Sequence, residues 1–253
     1  MSDMPETARS SLPSRSITTL PRRSIDSLRN RGLRPTLRHI RAYADDAWFD
    51  HRFGVHTDRW VDLKDLEVVG KNRDQAVNYQ PIKADQVRAA FGLFQIPTDR
   101  VFVDYGSGKG RVLLLAILYG FHRVAGIEFA PALCDEAERN VEGFRHRTGR
   151  QFEAHIANVD AASYRVEDDD CVFFFNNPFG PRVLEQVLGN IRLSLESKPR
   201  VIHVVYVNPF HRHVLDDDPF WRVVAETDSG GLETAVYYQP RRTEVPCVIH
   251  VRP

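Results

Sequence analysis

Val101-Phe102-Val103-Asp104-Tyr105-Gly106-Ser107-Gly108-Lys109-Gly110-Arg111-Val112-Leu113-Leu114-Leu115-Ala116 is the stretch on which the fold turns. It opens on a short apolar strand signal, passes through three glycines spaced two apart, and runs on as an almost wholly apolar helix to Tyr119. A strand, a glycine loop and a helix in succession make a ligand site by geometry. The helix N-terminus presents unpaired N–H groups and partial positive charge, and glycines let a ligand approach the backbone.

Outward from this loop the chain keeps alternating. Upstream, Val87, Ala90, Phe91 and Phe94 repeat at helical spacing before a stop at Pro97. Downstream come a strand from Val124 to Ile127, a helix from Pro131 to Phe144, a strand over 153–159, and a strand from Cys171 to Phe175. An amphipathic helix from Pro181 to Leu195 and a strand from Val201 to Val207 follow. Strands apolar on both faces and separated by helices predict a parallel sheet covered on both sides. The last runs, Trp221–Thr227, Glu233–Tyr238 and Cys247–Val251, have no helices between them and predict an antiparallel finish. The expected fold class is α/β, a doubly wound, seven-stranded, mostly parallel sheet with a small N-terminal helical cap.

Three regions are expected: a basic disordered arm over 1–35, a helical cap and connector over 36–75, and the main domain over 76–253. The arm is rich in Ser, Thr, Pro and Arg and lacks an apolar period, so it cannot offset its ordering entropy. Leu37, Ile40, Tyr43, Ala47, Trp48, Phe49 and Phe53 predict one or two short helices in the cap. A polar connector over 61–82 ends in Tyr79-Gln80-Pro81.

The 34 basic and 34 acidic residues of the 253-residue chain cancel, so net charge argues for neither a nucleic-acid nor a membrane-surface partner. Nine arginines between Arg9 and Arg41 break that neutrality locally. They would hold a nucleic acid by phosphate contacts. A soluble tail is favoured slightly, because aromatics for base stacking are not interleaved. Cys134, Cys171 and Cys247 lie far apart and form neither a disulfide framework nor a zinc pattern. With no signal peptide expected and no apolar run long enough to span a bilayer, a cytoplasmic protein is expected. The acidic runs Asp168-Asp169-Asp170 and Asp216-Asp217-Asp218 read as solvated turns, and no metal is expected. His203 reads as a core residue, and His211 and His213 as loop residues.

Spacing narrows the ligand. The phosphate-loop pattern GxxxxGK[ST] is absent, and the dinucleotide fingerprint fails because Arg111 stands where a third glycine or alanine belongs. G-x-G-x-G preceded by Asp104 suits a cofactor without a pyrophosphate, whose ammonium end a carboxylate can face. Glu128, closing the second strand about twenty residues later, can accept both hydroxyl protons of a ribose. Asp160, after the third strand, can accept from an adenine amino group.

Asp104-Tyr105-Gly106-Ser107-Gly108-Lys109-Gly110-Arg111-Val112-Leu113-Leu114-Leu115-Ala116, followed by the stretch from Gly126 to Asn140, resembles motif I and the second-strand acid of class I S-adenosylmethionine (SAM)-dependent methyltransferases. The resemblance implies SAM as cofactor. Asp104, Gly106 and Gly108 would hold its methionine portion, Glu128 its ribose and Asp160 its adenine, with Ser107, Gly110 and Asn176 completing the cofactor set. Phe49-Asp50-His51-Arg52-Phe53-Gly54 is similar to the cap segment of a group of small bacterial methyltransferases and implies no substrate.

Asn176-Asn177-Pro178-Phe179-Gly180 resembles two families at once. One is the NPPY motif of amino-group methyltransferases, from which it departs by one proline and a Phe for Tyr. The other is the paired-asparagine segment of non-SET histone-lysine methyltransferases, in which a tyrosine-proline segment such as Tyr79-Gln80-Pro81 precedes the fold. Either implies methylation of a nitrogen, on a protein or a small molecule, with Asn177 and the Pro178 carbonyl orienting it and Phe179 and Tyr79 walling it. For a lysine, an apolar slot of Phe175, Phe179 and Tyr79 would lower the amine pKa by desolvation. The plainer alternative is that Asn-Pro turns the chain after a buried strand. An O- or C-methyltransferase, an NAD(P)-dependent oxidoreductase and a non-catalytic SAM- or nucleic-acid-binding protein are the rival readings.

Overall fold

The computed structural model describes residues 33–76, 78–93, 95–229 and 232–239. The chain divides between Tyr43 and Ala44. The described part of the first unit is the beginning of helix α1 (Leu33–Phe53), whose remainder belongs to the second. Residues 1–32 of the expected arm and the Cys247–Val251 strand fall outside the described residues, as does Phe94, while residues 33–35, expected in the arm, belong to α1.

The second unit is built on seven strands: β1 (Val101–Tyr105), β2 (Arg123–Glu128), β3 (Glu153–Asn158), β4 (Asp170–Asn176), β5 (Ile202–Val207), β6 (Arg222–Ser229) and β7 (Leu232–Gln239). Their spatial order is β3-β2-β1-β4-β5-β7-β6. The first five run parallel, whereas β7 is antiparallel to both neighbours, β5 and β6. This is the expected doubly wound sheet with an antiparallel end. Connections leave β1 in one direction for β2 and β3, and in the other for β4 and β5. The edge between β1 and β4 is therefore the switch point, where ligands of open α/β sheets bind.

Helix α2 (Ala84–Gly92) precedes β1, and the helices between strands are α3 (Arg111–Tyr119), α4 (Pro131–Thr148), α5 (Pro181–Ser197) and the short α6 (His213–Asp216). Prolines at the first turn start α4 and α5, where the missing N–H loses no bond. Side chains alternate along the strands into two cores. Phe102, Phe174 and Val205 pack with Phe91, Leu114 and Phe144 on one face. Val103, Phe173, Phe175 and Tyr206 pack with Val187 and Ile191 of α5 on the other. Double coverage explains why β4 and β5 read as unbroken apolar runs.

The cap differs from expectation. In place of one or two short helices there is one 21-residue helix, α1. Its last turns are held by a buried ion cluster rather than by apolar contacts alone. Arg111, 2% exposed at the start of α3, pairs with Asp46 and Asp50, and Lys83 pairs with Asp46 as well. The Arg111 guanidinium lies 5.7 Å from the Phe49 ring centroid. Asp50 also accepts from the Thr57 hydroxyl (2.6 Å) and the Thr57 and Asp58 N–H groups (2.7 and 3.1 Å), fixing the turn that follows the helix.

The 61–82 connector is no loose linker. It folds as two single-turn helices, Leu63–Asp65 and Arg73–Gln75, and makes isolated bridges Val61–Tyr79 and Ala76–Phe179. This strap lies along the carboxyl edge of the sheet. Among the described residues no helix is long and apolar enough to cross a membrane.

Candidate functional site

One cavity at the switch point gathers residues distant in sequence. Its walls include Asp104, Gly106 and Ser107 after β1, Glu128 and Phe129 after β2, and Val159 and Asp160 after β3. Asn176, Pro178 and Phe179 follow β4, and Leu63, Leu66, Asn72, Asn78 and Tyr79 come from the strap. The three acids expected at three strand ends thus face one space, and they are 3, 5 and 6% exposed.

Their situations differ. Asp104 is the penultimate residue of β1, and its carboxylate makes no hydrogen bond or ion pair with any described residue. Burial, and then the charge of Glu128, push its pKa well above the ordinary range. Neighbouring cations are committed elsewhere: Arg111 to Asp46 and Asp50, and Lys109 Nζ to the Arg59 carbonyl (3.2 Å). Glu128 accepts from the Gly108 and Ala130 N–H groups, each at 2.9 Å, yet burial still raises its pKa. Asp160 caps the turn Ala161–Ser163, accepting from the Ala162 N–H at 3.0 Å, and is further engaged by the Lys71 N–H and the Asn72 side chain.

The strap is pressed onto the glycine loop. The Tyr79 hydroxyl donates to the Thr57 carbonyl at 3.0 Å, and the Tyr79 ring covers Gly108 so closely that a Cβ there would lie 2.0 Å from Cε2. Gly108 has φ +53°, so both conformation and space require glycine. Thr57 in turn accepts from Arg111 Nε at 2.8 Å. On the other side Pro178 packs over Gly106, and the Gly180 N–H donates to the Gln75 carbonyl at 2.8 Å.

Several expected residues stand behind the cavity wall rather than on it. Gly108 is covered by Tyr79, and Gly110 (φ +82°) faces Ala137 at the start of α3. Asn177 has a left-handed backbone (φ 42°) that swings its side chain aside, leaving its Oδ1 3.5 Å from the Tyr206 hydroxyl. Asn176 is the asparagine on the wall, and it pairs with Asn208 at 3.0 Å. Phe175 is in the core, stacked on Tyr105 at 5.1 Å, so the slot has Phe179 and Tyr79 but not Phe175.

His203 is the second residue of β5 and buried, its pKa lowered to about 4 by burial, as a core histidine should be. His211 and His213 are not on the wall. The acidic runs are not plain solvated turns: Asp168 pairs with Lys198, Asp169 with Arg123, Asp216 with Arg212 and Asp218 with Arg192, while Asp170 is buried in β4. Among the described residues no His, Cys, Asp and Glu cluster could hold a metal ion.

Comparison with solved structures agrees with the topology. A candidate methyltransferase of Escherichia coli, yhhF, superposes with a TM-score of 0.50 over 70% of this chain and 92% of its own, at 18% identity. The chain has the class I SAM-dependent methyltransferase fold. An RNA methyltransferase from Salinibacter ruber, in complex with S-adenosyl-L-homocysteine (SAH), matches with a TM-score of 0.45 over 66% of this chain and 96% of its own, at 20% identity. A candidate methylase of Haemophilus influenzae, HI0767, gives 0.45 over 62% and 98%, at 17% identity. No protein-family model matches the sequence, and no curated protein matches it significantly. The three acids converge at the switch point, the edge where ligands of open α/β sheets bind.

Proposed function

We propose that this protein is an enzyme, a SAM-dependent methyltransferase acting on a nitrogen of a protein side chain or a small molecule. The observation that carries the reading is Asp104: a carboxylate 3% exposed, without a donor or ion-pair partner among the described residues, facing a cavity at the switch point. A buried unpaired charge is costly unless a ligand supplies the missing partner. The ammonium of a methionine moiety is such a partner.

The residues fit the rest of the molecule. Glu128 has one oxygen on each of two backbone N–H groups and keeps lone pairs for a ribose diol. Leu66, Phe129, Leu133 and Val159 form apolar walls near Asp160, as a purine requires. When bound, SAM would supply a methyl group on a sulfonium, already a strong electrophile. The chain's own part is then positioning. Asn176 and the Pro178 carbonyl would orient the acceptor nitrogen, while Phe179 and Tyr79 would wall it and keep water out. The three acids on the wall are taken up by the cofactor in this reading and no histidine or further acid lines it, in keeping with an acceptor that arrives neutral or loses its proton on entering an apolar slot.

Calorimetric titration with SAH, with NADH as comparison, tests the cofactor. Micromolar SAH binding with none for NADH is expected, and NADH binding alone would overturn the reading. Transfer of labelled methyl from SAM to amines should give products stable to mild base. Base-labile products would identify a carboxyl oxygen as acceptor instead.

A further inference from the structure

The strap contributes a side chain that the glycine loop and strand ends do not account for. Asn72 Nδ2 lies 3.0 and 2.9 Å from the two oxygens of Asp160, 88 residues away in sequence. A carboxylate accepts hydrogen bonds and has none to give, so the chemistry of the pair settles which way the Asn72 amide is turned. Its NH2 faces Asp160 and its Oδ1 faces away. Asn72 is on the cavity wall, and its Oδ1 accepts nothing from any described residue.

Asp160 is already engaged. Oδ1 takes Asn72 Nδ2 and the Ala162 N–H (3.0 Å), and Oδ2 takes Asn72 Nδ2 and the Lys71 N–H (3.2 Å). The strap backbone is also packed hard against it. A Cβ on Gly70, whose φ is +85°, would lie 2.3 Å from Asp160 Oδ2. The clamp is therefore a built feature that any side chain at position 70 would disturb.

We infer that Asn72 reads the base of the bound nucleoside, its Oδ1 accepting a hydrogen bond from the exocyclic amino group, and that Asp160 acts through it as a positioning residue. The inference rests on the SAM reading above and sharpens it. Selectivity for a 6-amino over a 6-oxo purine then resides in the strap, not in the acid after β3. A 6-oxo group would set two acceptors face to face and leave both unpaired.

The test is calorimetry on the full chain with two ligands, SAH and its deaminated analogue S-inosylhomocysteine. The wild type should prefer SAH by about tenfold or more, the effect of one unsatisfied hydrogen bond in a closed site. Asn72→Ala should bring the ratio close to one. Asp160→Asn lets the neighbouring amide present either end, so Asn72 can turn and the preference should again collapse. If either variant weakens both ligands equally and keeps the wild-type ratio, Asn72 only fastens the strap and the inference is overturned. Equal wild-type affinity for both ligands overturns it too, while leaving SAM as cofactor. A wild type that binds neither overturns the cofactor reading together with the inference. Should Asn72→Ala fail to fold, the Asp160→Asn ratio decides alone.

Discussion

Asp104→Asn should make the free protein more stable and a worse binder. The amide keeps the shape of the carboxylate but removes a charge that burial disfavours. Leaving a buried polar group unsatisfied costs about 1–3 kcal/mol and more when it is charged; the amide is still unsatisfied, so only the excess due to the charge, about 1 kcal/mol or more, is relieved. For a chain of this length 1 kcal/mol moves Tm by roughly 2–4 °C, so a rise of at least about that size is expected. The pH dependence carries a definite sign. A carboxyl with a raised pKa in the folded state binds its proton more tightly there than when unfolded. Its contribution is fully present below the unfolded Asp pKa of about 3.9 and is lost as pH rises through the folded value. The gain from Asp104→Asn should therefore be large at pH 7–8 and vanish toward pH 3–4. Glu128, also raised by burial, adds a slope of the same sign in both proteins. Against this, the variant gives up a charge-assisted bond to the ligand ammonium, about 1.5–3 kcal/mol, so SAH affinity should fall by roughly 10- to 150-fold. Scanning calorimetry from pH 4 to 8 and SAH titration at pH 7.5 read both effects. A destabilised variant that binds SAH as well as wild type would refute the reasoning, since Asp104 would then be a satisfied structural acid.

Two further substitutions probe how the strap and cap are held. Gly108→Ala forces a left-handed alanine, about 1–2 kcal/mol, and pushes the Tyr79 ring off the loop, so stability should drop and SAH binding weaken. Adding Tyr79→Ala should recover part of the stability loss, and strict additivity of the two changes in denaturant melts would contradict the contact. Arg111→Met leaves Asp46 and Asp50 buried with less compensation and should cost about 3–5 kcal/mol, toward the lower end because Lys83 still serves Asp46. Asp50→Asn in that background should restore part of the loss, whereas a Tm within a degree of wild type for Arg111→Met alone would show the cluster to be energetically idle.

What could be read from the sequence divides along a physical line. Asp104 and Glu128 were legible because their positions follow from local alternation: a strand must end where a glycine loop or a helix begins, and the residue there faces the ligand edge. The strap was not legible, because nothing local shapes it. Its order comes from Asn72 to Asp160, Gln75 to Gly180 and Tyr79 to Thr57 and Gly108, contacts made only once the sheet is assembled. A polar segment without period looks the same whether it hangs free or is clamped over a cavity. Arg111 shows the same limit from the other side. As a pattern element it marks a failed dinucleotide fingerprint, but its physical role is set by Asp46 and Asp50, 65 and 61 residues upstream, which give a buried guanidinium its reason to be there.

The paired asparagines are the finest case. Asn176 is the last residue of β4 in register with β5, opposite Val207, so its side chain is aimed by the sheet. Asn177 falls one residue beyond, where a left-handed turn ahead of Pro178 redirects it toward Tyr206. The same device recurs one strand along, where Asn208 (φ 50°) precedes Pro209 and returns its amide to Asn176. The two turns are thus joined at the wall residue, and the asparagine that faces the cavity is chosen by where β4 stops pairing with β5. That is a property of two strands, and one strand's sequence does not contain it.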